Sequence, residues 1–393
     1  MQKHKEHLDR KKIWIINLTS FLLGFSDAVL LYVISSYFKL SSGMENVGGF
    51  YILSYIALLL VLLNLHKLAK KLGNTNIFFL ALFFKIVVIA LLAGMQPGFW
   101  GICLLMVYVL LAGIEWVSLD AMLESFSCDR ESGRIRGKHL TILNAGFLLG
   151  PFLSTRLLEH FGFAGIFMLL LVFNMVIFLL DLIKLRDTKS IFRKDISVSN
   201  LIRKVFARKN VLAIYYVAFI LDFFYAVMVI YTPIYLLDLG LGWDKIGIIF
   251  TIMLLPFVFL QYPMGILADK KVGEKKLLFW ALLIMAFFTI IFFFTRSQNI
   301  LIWSAVLFGT RVGAAMLEVL RDSYFYKRID GEDVDLIDFF RTAMPVGYIV
   351  AAFSSFILLL FLPVAWVFVL LALVLLSALI PALRLVETKL VKK

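Results

Sequence analysis

Five ionisable residues stand where a charge is costly. Asp27, Lys85, Glu115, Asp222 and Arg311 each lie deep inside a long apolar run. A charge at the centre of a hydrocarbon layer costs roughly 2.5–3.5 kcal/mol on insertion scales, so each needs a partner, a polar cavity or a task. A carboxylate held out of bulk water can exchange a proton within the cellular pH range or hold a cation. An arginine presents a planar fork of donors that suits a counter-charge or an anion. Other chemistry lacks its residues. His4, His7, His66, His139 and His160 fall in loops or at helix ends without metal-ligand spacing. Cys103 and Cys128 lie near opposite ends of one apolar run and cannot pair. There is no G-x-x-x-x-G-K-S/T phosphate loop and no nucleophile–base cluster. No metal site, no cofactor and no enzymatic activity are expected.

The elements that must position these charges are set by composition. Of 393 residues 62% are hydrophobic and 17% charged, with mean hydropathy +0.96, well beyond a soluble domain. The apolar residues gather in blocks of about twenty, enough to cross roughly 30 Å of hydrocarbon. Twelve spans are predicted, at 13–38, 47–65, 75–95, 99–122, 139–157, 162–184, 210–236, 246–267, 276–295, 299–320, 338–360 and 364–386. The connections are too short for a separate catalytic domain. The first block follows the basic stretch Lys3–Lys12 but is too long for a signal-peptide core and lacks a small-residue cleavage site, so it reads as a retained helix.

The net charge of +13 raises the question of a nucleic-acid partner, and its distribution answers it. Of the 39 Lys and Arg residues, Lys39, Arg156, Lys245 and Arg296 fall on one side of the layer and Lys85 and Arg311 inside it; the remaining 33 fall on the side of the chain ends. That bias follows the positive-inside rule and places both termini in the cytoplasm, with no nucleic acid as partner. The expected setting is the inner membrane of a prokaryotic cell. The longest connection, 186–209, halves the chain into bundles 1–185 and 210–393. In it Val198, Leu201, Ile202, Val205 and Phe206 recur at helical spacing opposite Arg203, Lys204 and Arg208. That pattern suits a solvated basic linker or a short helix on an anionic leaflet.

The halves share residues at a fixed offset. Lys70-Lys71-Leu72-Gly73 returns as Lys270-Lys271-Val272-Gly273, displaced by 200. Asp120, Glu124, Ser125 and Gly133 return as Glu318, Asp322, Ser323 and Gly331, displaced by 198, as does Ala28-Val29 in Ala226-Val227. Span n therefore pairs with span n+6, as in two parallel repeats about an axis along the membrane normal.

The run Gly265, Asp269, Lys270, Lys271, Gly273, Lys275 and Lys276 resembles the loop signature of the major facilitator superfamily, G-x-x-x-D-R/K-x-G-R/K-R/K, with one extra residue between Asp269 and Gly273. The first-half copy carries Leu65 and Ala69 where the Gly and Asp would fall. Gly146-x-x-x-Gly150-Pro151 in span 5 resembles the helix-bend motif of drug/proton antiporters, with Ser154 and Thr155 in place of its trailing glycines. The resemblance implies an all-α membrane fold of twelve helices in two six-helix pseudo-symmetric bundles. It also implies secondary transport of a small solute by alternating access.

In such a fold spans 1, 4, 7 and 10 line the central cavity, and four of the five deep charges lie on them. Asn17, Ser20, Gly24, Asp27 and Ser35 share one face of span 1, and Ser304, Arg311, Glu318 and Asp322 one face of span 10. Asp27 is expected to carry the proton or cation, helped by Glu115 and Asp222, with Arg311 as counter-charge or anion anchor and Tyr32, Trp116, Tyr225 and Tyr231 as aromatic walls. An ion pair of Asp27 or Asp222 with Arg311 is the structural alternative, and Lys85, on a helix packed outside the cavity, is expected to be structural. Three acids against one cavity base suit a cationic substrate or a carried proton. Asp120, Glu124, Glu318 and Asp322 crowd the helix ends where the dipole disfavours acids. They are expected to latch a cytoplasmic gate with Lys70, Lys71, Arg134 and Arg136, or with Lys270, Lys271 and Arg341, alongside Gly265, Asp269 and Gly273. The expected function is proton-coupled efflux of a hydrophobic or cationic compound by a monomer in the lipid bilayer. The alternatives are proton-coupled uptake of an anion held by Arg311 and Lys85, and a non-transporting receptor or assembly partner of the same fold.

Overall fold

The computed structural model describes residues 10–126, 132–185, 205–268, 272–328 and 334–387. Every regular element among them is helical. Eleven segments are long and apolar enough to cross a membrane, and one of them, Lys138–Lys184, is too long to cross once. Its helix, Ser132–Lys184, is broken at Gly162, whose φ of 63° and ψ of −164° only glycine adopts readily. The break yields spans 5 and 6 and brings the crossings to twelve. Asp269, Lys270, Lys271, Cys128, His4, His7 and most of the linker lie outside the described residues, as do the side chains of Glu124, Arg134, Arg136 and His66.

Several spans are interrupted near the places where the charges sit. Span 1 runs as Arg10–Leu31 and Ile34–Ser42, with Tyr32 and Val33 in the break. Span 8 runs as Trp243–Phe259 and Gln261–Leu267, four residues after Pro256, and span 11 as Val334–Arg341 and Ala343–Leu358. Such breaks are tolerated in a membrane only where protein or a polar cavity satisfies the freed backbone groups. The spans also differ in how far they are enclosed. Over an apolar stretch of 18 residues in each, span 7 is 72% buried, span 1 67% and span 10 61%, against 33% for span 2 and 39% for span 12, so the first three form the centre of the molecule. Span 4 is only 44% buried, no more than span 3.

Glycines set the closest approaches. A Cβ on Gly146 would strike the Phe21 carbonyl, one on Gly150 would strike Ala28, and one on Gly24 would stand 2.8 Å from the Leu143 carbonyl oxygen. The Gly146–Gly150–Pro151 segment is therefore the surface on which span 5 packs against span 1. Its trailing Ser154 and Thr155 turn their hydroxyls back to the Pro151 carbonyl, at 3.2 and 3.0 Å. Thr155 also fills the space above Gly247 of span 8, a contact between the halves.

The internal repeat is visible in the backbone. Gly73 and Gly273 open spans 3 and 9 with nearly the same dihedrals, φ 82° and ψ 150° in one, φ 82° and ψ 155° in the other. Only glycine occupies this region at low cost. The first-half loop has lost the signature Gly and Asp at Leu65 and Ala69 but retains the glycine that makes the turn. Gly273→Ala is expected to cost roughly 1–3 kcal/mol, the price of holding an L-residue there. Gly49→Ala, where an added Cβ meets nothing within 4 Å, serves as the control, and thermal unfolding in detergent measures both. Equal unfolding temperatures would remove the strain argument.

Candidate functional site

In the N-terminal half two carboxylates share one ammonium. Lys85 is fully buried, bonded to Glu115 Oε2 by a short contact and 3.5 Å from Asp27 Oδ1. Asp27 also accepts from the Tyr108 hydroxyl at 3.0 Å and from Trp116 Nε1 at 2.7 Å. Tyr108 lies under the ammonium, 5.6 Å from Nζ to ring centroid. Glu115 is 1% exposed, and its Oε1 has no hydrogen-bond partner. Asp27 therefore pairs with Lys85 and not with Arg311, because span 3 turns its one charged residue inward between spans 1 and 4. Trp116, expected as a wall, is a hydrogen-bond donor to the carboxylate.

In the C-terminal half the charges gather about a residue that the sequence reading passed over. Arg321 donates to Asp222 Oδ2 at 3.0 Å and to the Ala218 carbonyl at 3.2 Å, and lies 3.4 Å from Asp322. Asp222 thus pairs with Arg321 rather than Arg311. Glu318 is drawn into the interior instead of standing at a helix end: it accepts from Gln261 Nε2 at 2.6 Å, and Gln261 Oε1 accepts from Asn144 of span 5 at 3.2 Å. The reason is length, since span 10 stays helical to Tyr326 and carries Glu318, Arg321 and Asp322 inside the helix. Glu274, behind Gly273, is fully buried at the start of span 9 and receives Lys327 at 2.5 Å and Ser323 at 3.0 Å. A further carboxylate absent from the sequence reading, Asp181 of span 6, is fully buried and accepts from Thr19 at 2.6 Å.

Arg311 lies between these clusters and belongs to neither. It is 2% exposed, yet no carboxylate among the described residues comes within 4.0 Å, and its Nη1 has no hydrogen-bond partner. Its guanidinium lies over the Phe224 ring, 4.9 Å from the centroid, and the Tyr32 hydroxyl is turned to it. Tyr225 and Tyr348 are within electrostatic reach of the same guanidinium, Tyr225 also of Glu318 and Arg321 and Tyr348 of Asp222. The Tyr225 hydroxyl is buried without a partner, as is that of Ser304, two turns from Arg311 on the same face of span 10. Tyr231 lies farther along span 7, with its hydroxyl 2.9 Å from where a Cβ on Gly48 would stand.

The halves meet along spans 1 and 7, 2 and 11, and 5 and 8. Ties cross the seam at both ends. Towards the chain ends Arg341 pairs with Asp120 at 2.8 Å, so the arginine expected beside Glu318 and Asp322 joins the opposite half. At the far end Lys39 lies 3.5 Å from Asp238, and Asn46 donates to the Phe356 carbonyl at 3.1 Å. The Arg341 and Asp120 side chains are 18% and 32% exposed, so their pairing contributes about 1 kcal/mol or less. Asp120→Asn should therefore raise the labelling rate of single cysteines in the mouth between spans 4 and 11 severalfold, and exchanging the two charges should restore it. Unchanged labelling in Asp120→Asn would remove the latch.

Comparison with known proteins agrees with this architecture. The sequence model of the Major Facilitator Superfamily matches residues 16–319 and 238–393. No curated protein matches the chain. The crystal structure of the nucleoside transporter NupG, solved as a point mutant, superposes with a TM-score of 0.71 over 95% of this chain and 99% of that one, at 11% identity, a likeness of fold. The internal repeat, the twelve crossings and the family match together make this chain an integral membrane transporter, not an enzyme, and a member of the Major Facilitator Superfamily.

Proposed function

We propose that this protein moves a small organic anion across the membrane by alternating access, together with a proton held by the Asp27–Lys85–Glu115 cluster. The observation that carries the reading is Arg311, a buried cation at the seam of the two halves with no carboxylate partner among the described residues. A lone charge in a low-dielectric interior is costly unless something compensates it, and an anionic substrate does so. The acids expected to attract a cation are already engaged by Lys85 and Arg321. Asp27 and Glu115 leave one negative charge in excess over Lys85, which a proton neutralises. The reading keeps both termini in the cytoplasm, on the charge bias of the loops, in a prokaryotic inner membrane. It also takes residues 1–185 and 210–393 as the moving halves, joined through 186–209.

Export of a hydrophobic cation remains a second reading, favoured by the close packing of Gly146 and Gly150 on span 1. Purified protein in liposomes with an internal pH dye separates the two, with protein-free liposomes as baseline. Small carboxylates, sulfonates and phosphate esters should move protons with themselves. Proton movement driven only by lipophilic cations would replace the proposal with export, and no movement with either class would leave a non-transporting receptor of the same fold.

A further inference from the structure

We infer that the anion carried on Arg311 bears a flat aromatic ring. The inference rests on the anion-transport reading and narrows it. The contacts that close the seam around Arg311 are ring on ring, with one ring from each half. Tyr55 of span 2 lies on Tyr348 of span 11, centroids 4.3 Å apart and planes at 30°. Tyr32 of span 1 lies on Phe250 of span 8 at 4.9 Å and 47°. The Tyr32 hydroxyl is turned to Arg311, and Tyr348 is within electrostatic reach of Asp222, Tyr32 and Arg311, which puts both pairs on the Arg311 side of the seam.

Alternating access requires the halves to part along this seam. When they do, each pair must open, and ring faces that were covered lose their partners. An aromatic ring between the halves covers them again in offset or edge geometry, whereas an aliphatic group of equal size buries area without the quadrupolar term. Arg311 already lies over Phe224 and leaves its Nη1 without a hydrogen-bond partner, so it can hold an anionic group at the edge of such a ring. The unpartnered hydroxyls of Tyr225 and Ser304 add two places for a polar substituent. The substrate class this describes is a single-ring aromatic carboxylate or its sulfonate or phosphate counterpart.

Titration calorimetry on the purified full-length protein tests it with three probes: benzoate, cyclohexanecarboxylate and benzyl alcohol. Cyclohexanecarboxylate matches the charge and ring size of benzoate without its π-face, and benzyl alcohol keeps the ring without the charge. Benzoate is expected to bind roughly tenfold tighter than cyclohexanecarboxylate, since two ring faces each add a few-fold over burial alone. Tyr348→Leu should cut that ratio to about threefold, the share left to the other ring face, and Tyr348→Phe should keep it. Equal binding of the two carboxylates by the unaltered protein overturns the aromatic inference and leaves anion transport standing, as does a ratio that survives undiminished in Tyr348→Leu. Binding of benzyl alcohol with neither carboxylate overturns the anion reading itself. The ratio in the unaltered protein decides the matter even if a variant fails to fold.

Discussion

Lys85→Met should sharply lower the stability of this protein, and Glu115→Gln in the same chain should largely restore it. Lys85 is fully buried and is the cation the structure gives both Asp27 and Glu115. Its removal leaves two buried carboxylates side by side without compensation, a loss on the order of 3–5 kcal/mol. Set against a total stability of about 5–15 kcal/mol, that loss is large. Neutralising Glu115 then leaves Asp27 with Tyr108 and Trp116, two donors that Lys85 does not supply. Asp27→Asn is the contrasting case. Lys85 keeps Glu115, and the asparagine oxygen still accepts one of the two donors, so the loss of stability should stay near 1 kcal/mol while proton-linked transport fails. Thermal unfolding in detergent and proton movement in liposomes read the two effects separately. A Lys85→Met protein that unfolds at the parental temperature would show that the cluster is not held by its cation. Full proton coupling in Asp27→Asn would move the proton to Glu115.

The same cluster shows what the sequence could and could not say. Asp27, Lys85, Glu115, Asp222 and Arg311 were legible one by one, because an ionisable residue in a twenty-residue apolar block is conspicuous against its neighbours. The repeat was legible too, and Gly73 and Gly273 bear it out in their dihedrals. The partners were not legible. Whether Lys85 faces lipid, a neighbouring helix or the centre depends on the rotation of span 3, and a helix apolar all round gives no face to read it from. Arg321 escaped notice for another reason. Between Glu318 and Asp322 the hydropathy falls, which looks like the end of a membrane helix, but the helix runs on to Tyr326 and holds all three charges half-buried within its length. Once Lys85 and Arg321 are counted as bases, Asp27, Glu115 and Asp222 each have a cation beside them, and among the described residues Arg311 is a buried cation with no carboxylate within 4.0 Å.

Arg311→Met should raise thermal stability and abolish anion binding, and the opposite signs of these effects give the test its force. A guanidinium at 2% exposure with no carboxylate within 4.0 Å among the described residues is held against a desolvation penalty of several kcal/mol. Its position over Phe224 returns about 2 kcal/mol at most. Methionine fills much of the same volume without charge, so the empty protein should gain on the order of 1–4 kcal/mol, the range seen when buried charges give way to apolar side chains. Binding should move the other way. Loss of a buried charge partner costs an anion about 2–5 kcal/mol, a fall in affinity of roughly 30- to several-thousand-fold. Arg311→Lys should fall between, keeping the charge but losing the planar fork and the stacking on Phe224. A structural role for Arg311 predicts a drop in stability with Arg311→Met, together with a drop in binding that merely follows misfolding. A destabilised Arg311→Met protein whose folded fraction still binds anions with parental affinity would therefore end the proposal that this arginine holds the substrate.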